Sequence, residues 1–392
     1  MYKKIVLTFV EYYLPGYKSG GPVRTIANIV DHMSDDFKFK IITSDRDSFE
    51  PDSYENIKIN AWNRVGRAEV CYLSPDKRNL CHLRAILNNT DYDILYFNSQ
   101  FTPIFTIKPL LLRRLGLIPN KPVVIAPRGE FSGGALALKR GKKKAYLAFA
   151  KALGLYHNLF WQASSEHEFC DIQRVMGVDS RKIWIAPDLP SAMIDSTIQA
   201  SQPSDSHDSS LKILFLSRIS PMKNLDFALR VLAQVKMPVQ FDLYGMLGDQ
   251  DYWTQCRKLI KQLPDHIQVE YKGAIPHQEV LGTFAQYDLF FLPTRGENYG
   301  HAIYEALAAG TPALISDQTP WRDFDGKGVG WVFPLDDMDG FVRCIEKYSQ
   351  TDVEARNLMR VKAREYAVDV NQNSETLQLN KELFNRALNM GV

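Results

Sequence analysis

Short apolar runs recur along this chain, most of them ending in a polar loop that leads into a stretch with apolar residues at helical spacing. Runs such as Ile94–Asn98, Val123–Pro127, Leu211–Ser217 and Leu289–Leu292 are too short for helices and apolar on consecutive positions. They read as strands of parallel sheets buried on both faces. Strands are also expected near the N-terminus within Met1–Glu11, and at Phe39–Ser44, Val70–Leu73 and Phe160–Ser165, and the apolar stretch Ile183–Pro187 closes the first half. Further along, Val239–Tyr244, Ile267–Tyr271, Ala313–Ser316 and Trp331–Phe333 fit the same pattern. Between them, Ile26, Ile29, Val30 and Met33 share one helical face, a helix follows Asn224 as its expected cap, and another spans Gln278–Tyr287. Gly326–Gly330 reads as a turn. Alternating strands and helices predict an α/β architecture of doubly wound sheets.

The pattern breaks once. From Pro187 to Ser210 the chain is rich in Ser, Asp and Pro, the composition of a domain boundary. This divides the chain into a domain over 1–190, a linker over 191–210, a domain over 211–371 and a terminal helix over 372–392. The terminal helix carries Leu377, Leu379, Leu383, Phe384 and Leu388 on a side that needs a partner. A length of 392 residues is ample for two domains with their own cores. A hydrophobic content of 45% and a net charge of +2 describe an ordinary globular chain and argue against a nucleic-acid-coating one. The five cysteines form neither a disulfide framework nor a zinc motif, which fits a reducing, cytoplasmic setting. Glu11 cuts the first apolar run short, so it reads as a strand rather than a signal peptide, and no run is long enough to span a bilayer.

The chemistry concentrates in 289–312. Strand, polar loop and helix follow one another, with Gly310 and Pro312 as the stop. Glu297 lies in the loop and Glu305 in the helix, about 12 Å apart if the whole interval were helical. That separation suits two ends of an extended ligand better than a hydrolase pair about 5 to 10 Å apart across one bond. Tyr299 and Gly300 open the helix, where backbone N–H groups and the dipole favour phosphate. Arg218 and Lys223 share a loop after another strand, a fork and a point charge suited to a diphosphate. Gly20 and Gly21 precede the first helix and could let backbone amides approach a phosphate. Asn98, Arg128 and Glu130 follow strands of the first domain at positions able to face a ligand. A basic segment, 139–156, has Tyr146, Phe149, Leu153 and Tyr156 at helical spacing behind Lys142, Lys143 and Lys144. Such a helix could lie on an anionic membrane surface.

Leu216–Lys223, Pro293, Glu297-x-Tyr299-Gly300 with Glu305, and Ala309–Pro312 together resemble retaining glycosyltransferases of family 4, which have the GT-B fold of two Rossmann-like domains facing a central cleft. The resemblance implies that Arg218 and Lys223 hold the donor diphosphate, Glu305 the ribose and Glu297 the hydroxyls of the transferred sugar. Backbone at Asn298, Tyr299 and Gly300 would approach sugar and phosphate, Ala274 and Ile275 would border the base, and Gly20–Gly21 would cover the diphosphate. It also implies that the terminal helix returns to the first domain. Arg128 stands where many members have a His and would be the residue nearest the reacting centre. The turn 127–129 with its basic helix, and Thr319–Arg322, resemble the branch that builds bacterial surface polysaccharides on lipid carriers. The implied reaction is transfer from a nucleotide diphosphosugar, a UDP-sugar favoured and a GDP-sugar admissible, to a glycan or lipid-linked glycan, with retention, no cofactor and no metal clamp. A sugar-nucleotide epimerase or phosphorylase on the same fold, and a non-catalytic membrane-attached protein, remain alternatives.

Overall fold

A computed structural model describes residues 3–137, 140–191 and 210–390. The linker expected at 191–210 lies almost wholly outside the described residues, as do Leu138 and Lys139. The chain forms two compact units, 1–192 with 373–392, and 193–372.

The first unit is built on eight strands: β1 Lys4–Phe9, β2 Phe37–Ser44, β3 Trp62–Val65, β4 Ala68–Leu73, β5 Ile94–Asn98, β6 Val123–Ala126, β7 Phe160–Ala163 and β8 Ile183–Ile185. Their order is β3-β4-β2-β1-β5-β6-β7-β8, parallel except for the antiparallel β3–β4 pair. Neighbouring residues feed opposite faces: Leu95, Phe97 and Ile125 enter one core cluster, Tyr96, Val124 and Ala126 the other. Helices cover both faces, which is why the strands read as continuous apolar runs. β3 had no apolar signature, because an edge strand with alternate residues exposed needs none.

The C-terminal helix, Ser374–Met390, buries Leu383, Phe384 and Ala387 in the first unit. The ring of Phe384 lies 5.5 Å from Phe37 and 5.2 Å from Tyr96.

The second unit has six parallel strands: β9 Leu211–Leu216, β10 Val239–Tyr244, β11 Ile267–Gly273, β12 Leu289–Leu292, β13 Ala313–Ser316 and β14 Gly330–Phe333. Their order is β11-β10-β9-β12-β13-β14. The chain winds outward from β9 to β11, then returns to the other side of β9 with β12. This reversal puts a topological switch point between β9 and β12, and the crevice for a ligand in such sheets opens at their carboxyl ends. The segment read as a turn at Gly326–Gly330 is more structured than that. A short helix, Phe324–Lys327, ends at left-handed Gly328, and Gly330 already belongs to β14.

Candidate functional site

The loops after β9 and β12 meet because the strands that carry them are neighbours. Asn224 does not cap the helix Leu225–Leu232 with its side chain. It is left-handed, at φ 61°, and its Nδ2 donates to the carbonyl of Pro293 at 2.9 Å. The side chain that was expected to start a helix ties two loops together instead, a long-range use invisible to local capping rules. The amide of Arg295 also donates to the carbonyl of Met222 at 2.8 Å. Held this way, Lys223 forms an ion pair with Glu297 at 2.5 Å, with both side chains only partly accessible.

Arg218 is exposed and rests on the loop after β10. That loop zips to its own: the amide of Ile219 donates to Met246 at 2.8 Å and that of Gly248 to Ile219 at 3.0 Å. In Gly245-Met246-Leu247-Gly248 the first glycine is required by close approach to backbone, while the last sits against the exposed Arg218 side chain. A Cβ on Gly245 would lie 2.0 Å from the carbonyl oxygen of Ser217, and one on Gly248 would lie 2.6 Å from Cδ of Arg218.

Beyond Glu297, the chain becomes helical only at His301–Ala308. The 12 Å helical estimate for the separation of Glu297 and Glu305 therefore fails, since half of the interval is loop. Gly300 precedes the helix at φ 86°, with no side-chain cap hydrogen bond, and an uncapped helix start is the kind of place that can receive an anion. Glu305 is buried, at 8% exposure. Its Oε1 lies 3.7 Å from Nδ1 of His277, the first residue of the helix His277–Phe284. Pattern reading passed over His277, because a single His at a helix start carries no motif. Ala274 and Ile275 are half-buried in the loop just before it. Thus Arg218, Lys223, Glu297, Asn298, Tyr299, Gly300, Glu305, Ala274 and Ile275 all follow the carboxyl ends of parallel strands of one sheet.

In the first unit, Gly20 and Gly21 are exposed at the start of the helix Gly21–Met33, which has no side-chain cap. Asp47 shapes the preceding loop by accepting from the amides of Tyr17 at 2.8 Å and Lys18 at 3.0 Å. Arg128 has its guanidinium turned inward. Nε donates to Asn98 Oδ1 at 2.7 Å and Nη2 to the Tyr96 hydroxyl at 2.5 Å, while Nη1 pairs with Asp188. Its backbone is left-handed at φ 56°. Glu130 accepts from the Ser99 hydroxyl at 2.7 Å and the amide of Gln100 at 2.6 Å, pinning the loop after β5. Burial raises its pKa. These polar residues after β5 and β6, considered as ligand-facing candidates, spend their contacts within the first unit.

The basic helix, Arg140–Ala152, ends before Leu153 and Tyr156, which lie in the turns that follow it, and the four apolar residues expected to share its face are divided. Tyr146 and Tyr156 turn inward, their hydroxyls 2.6 Å apart, and Lys143 reaches the carbonyl of Ala135 at 2.8 Å. Phe149 and Leu153 are 64% and 41% exposed, and Lys142 and Lys144 are exposed too. Among the described residues no helix is long and apolar enough to cross a membrane.

Asp-x-Asp spacing, a pattern that metal clamps use, occurs for example at 45–47, 91–93 and 249–251. The structure gives several of these aspartates protein partners. Asp45 pairs with Arg46 and Arg78, Asp93 with Lys4, and Asp249 caps a helix. Among the described residues no three His, Cys, Asp or Glu side chains are grouped to hold a metal ion.

Residues 197–366 match the family model described as glycosyl transferases group 1. The chain is 23% identical over 343 residues to the GDP-mannose-dependent alpha-(1-6)-phosphatidylinositol monomannoside mannosyltransferase of Mycolicibacterium smegmatis, covering 81% of this chain and 83% of that protein. Among solved structures it is similar to Anabaena HepE in complex with UDP-glucose, with TM-score 0.67 at 16% identity over 97% of this chain and 98% of the other. It is also similar to WaaG, a glycosyltransferase involved in lipopolysaccharide biosynthesis, with TM-score 0.64 at 15% identity over 97% and 98% of the two chains.

Proposed function

We infer that this chain, which carries a glycosyl transferases group 1 domain and has the GT-B fold, is a retaining glycosyltransferase. It moves a sugar from a nucleotide diphosphosugar to a hydroxyl of a glycan or lipid-linked glycan in surface polysaccharide or lipopolysaccharide synthesis. The observation that carries this reading is the junction of the β9 and β12 loops. A lysine, the carboxylate it pairs with and an uncapped helix start lie at one switch point, and Arg218 follows the same strand as the lysine.

In this mechanism Arg218, Lys223 and the first turn of His301–Ala308 stabilise the charge that develops on the leaving diphosphate, electrostatic catalysis that needs no metal. Glu305 accepts from the ribose hydroxyls, with His277 beside it, and Ala274 and Ile275 border the base. Lys223 pairs with Glu297, and a donor phosphate competing for the ammonium would release Glu297 to orient the hydroxyls of the transferred sugar. Glu297 then acts as a guide, not a nucleophile. A UDP-sugar is favoured, supported by the UDP-glucose complex of HepE, and a GDP-sugar is admissible, since the Mycolicibacterium smegmatis relative is GDP-mannose-dependent. The protein works at the cytoplasmic face of a membrane, held there by Phe149, Leu153 and the neighbouring lysines.

The test is a panel of UDP-, GDP- and ADP-sugars screened by thermal shift and by release of nucleoside diphosphate with and without a glycan acceptor. One donor class should stabilise the protein, and Glu305→Ala should weaken its binding about tenfold, as loss of hydrogen bonds to a charged group would. A chain that binds no member of the panel is not a glycosyltransferase of this kind.

A further inference from the structure

Trp321, in the loop after β13, is 6% exposed. Its indole N–H donates to the carbonyl of Tyr299 at 2.6 Å. Tyr299 is the last residue before Gly300, where the helix His301–Ala308 begins. The indole also packs against the rings of Tyr299 and Tyr304, with centroids 5.5 and 6.5 Å away. One side chain therefore grips the loop on one side of Gly300 and the helix on the other. Little room is left beside Gly300. A Cβ on Gly300 would lie 3.3 Å from Nε1 of Trp321 and 2.8 Å from Cδ1 of Ile303. The same segment braces the far end of the loop, because the amide of Glu297 donates to the carbonyl of Gln318 at 3.0 Å.

Buried aromatic residues ordinarily fill core, and the neighbouring Phe324 does so, 6.2 Å from Trp321 and 6.1 Å from Tyr366. Packing alone would be satisfied by phenylalanine. The indole adds a directed hydrogen bond to a loop carbonyl, and the geometry of that loop decides where backbone and Glu297 stand relative to a ligand. A displacement of about 1 Å at such a site is costly in binding and rate.

We propose that Trp321 is a positioning residue of the donor site: it holds the Glu297–Gly300 loop and the first turn of the following helix in the arrangement that receives the nucleotide diphosphosugar. This rests on the glycosyltransferase reading above. The experiment compares the full chain with Trp321→Phe, which keeps a ring and loses the N–H, and with Phe324→Leu, which loosens the same aromatic cluster without touching the loop. Affinity is measured calorimetrically for UDP-glucose, GDP-mannose and ADP-glucose, alongside the melting temperature and amide exchange of the 295–303 peptide. For the nucleotide sugar that the unaltered chain binds, Trp321→Phe should raise Kd about tenfold, the scale of one hydrogen bond, and speed exchange in that peptide. Phe324→Leu should lower the melting temperature and leave Kd within about twofold. Wild-type affinity in Trp321→Phe, or an equal loss in Phe324→Leu, would overturn the positioning role while leaving the donor reading intact. An unaltered chain that binds none of the three overturns both.

Discussion

Lys223 and Glu297 lie 74 positions apart in sequence and 2.5 Å apart in space. The pair is partly exposed, at 21% and 11% side-chain accessibility, so its contribution to stability is small, about 0 to 1 kcal/mol. Its cation should matter far more for chemistry. Lys223→Ala is expected to lower kcat/KM about 10²-fold or more, the scale seen when a group opposing developing charge is removed, with a melting temperature close to wild type; steady-state kinetics and calorimetry check both. Arg128 should behave in the opposite way. It is buried against Asp188, Asn98 and Tyr96, and removing one member of such a pair leaves an uncompensated charge at a cost of about 3 to 5 kcal/mol. Arg128→Ala should therefore destabilise the chain by that amount in urea unfolding, and Arg128→Ala with Asp188→Ala should recover part of it. Unchanged stability in the single variant would mean that the guanidinium serves a substrate instead.

At the scale of elements, the helix Arg140–Ala152 shows why a periodicity is not a surface. Four apolar residues repeat at helical spacing, yet the helix stops before Leu153 and Tyr156, and two of the four, Tyr146 and Tyr156, are joined by a 2.6 Å hydrogen bond on the inner side. Only Phe149 and Leu153 are left outward. If the helix meets a bilayer, it does so through those two residues together with Lys142 and Lys144, since Lys143 is held by Ala135 and lies over the Phe101 ring. Each cation near an anionic surface contributes about 1 kcal/mol. Phe149→Ser with Lys142 and Lys144 changed to Gln should therefore abolish co-sedimentation with phosphatidylserine-containing liposomes, while Lys143→Gln alone should cost less. Binding unaffected by the triple change would remove the tether from the proposed function.

At the scale of the molecule, the two units carry separate cores, and the last helix of the chain belongs to the first of them. Phe384 buries its ring against Phe37, Phe39 and Tyr96. Phe384→Ala should cost about 3 to 5 kcal/mol, as large-to-small changes of buried aromatics do, and the loss should be local. Hydrogen exchange is expected to speed in β1, β2 and β5 and to stay unchanged in β9 through β14. Equal acceleration in both units would show that the terminal helix supports more than its own core.

The sequence by itself determined the α/β class, twelve of the fourteen strands among the described residues and the residue types of the candidate donor site. Those features are local: a strand buried on both faces must be apolar throughout, and a loop that meets phosphate must carry cations, glycine or a helix start. The edge strand β3, half exposed, wrote no such pattern. Only the tertiary structure decided which polar residues pair across loops and which turn inward, because that depends on partners far along the chain. Asn224 was read as a cap and ties two loops. Arg128 and Glu130 were read as ligand-facing candidates and bind their own unit. Trp321 and His277 gained a place beside the site only when the fold brought their loops to Tyr299 and Glu305.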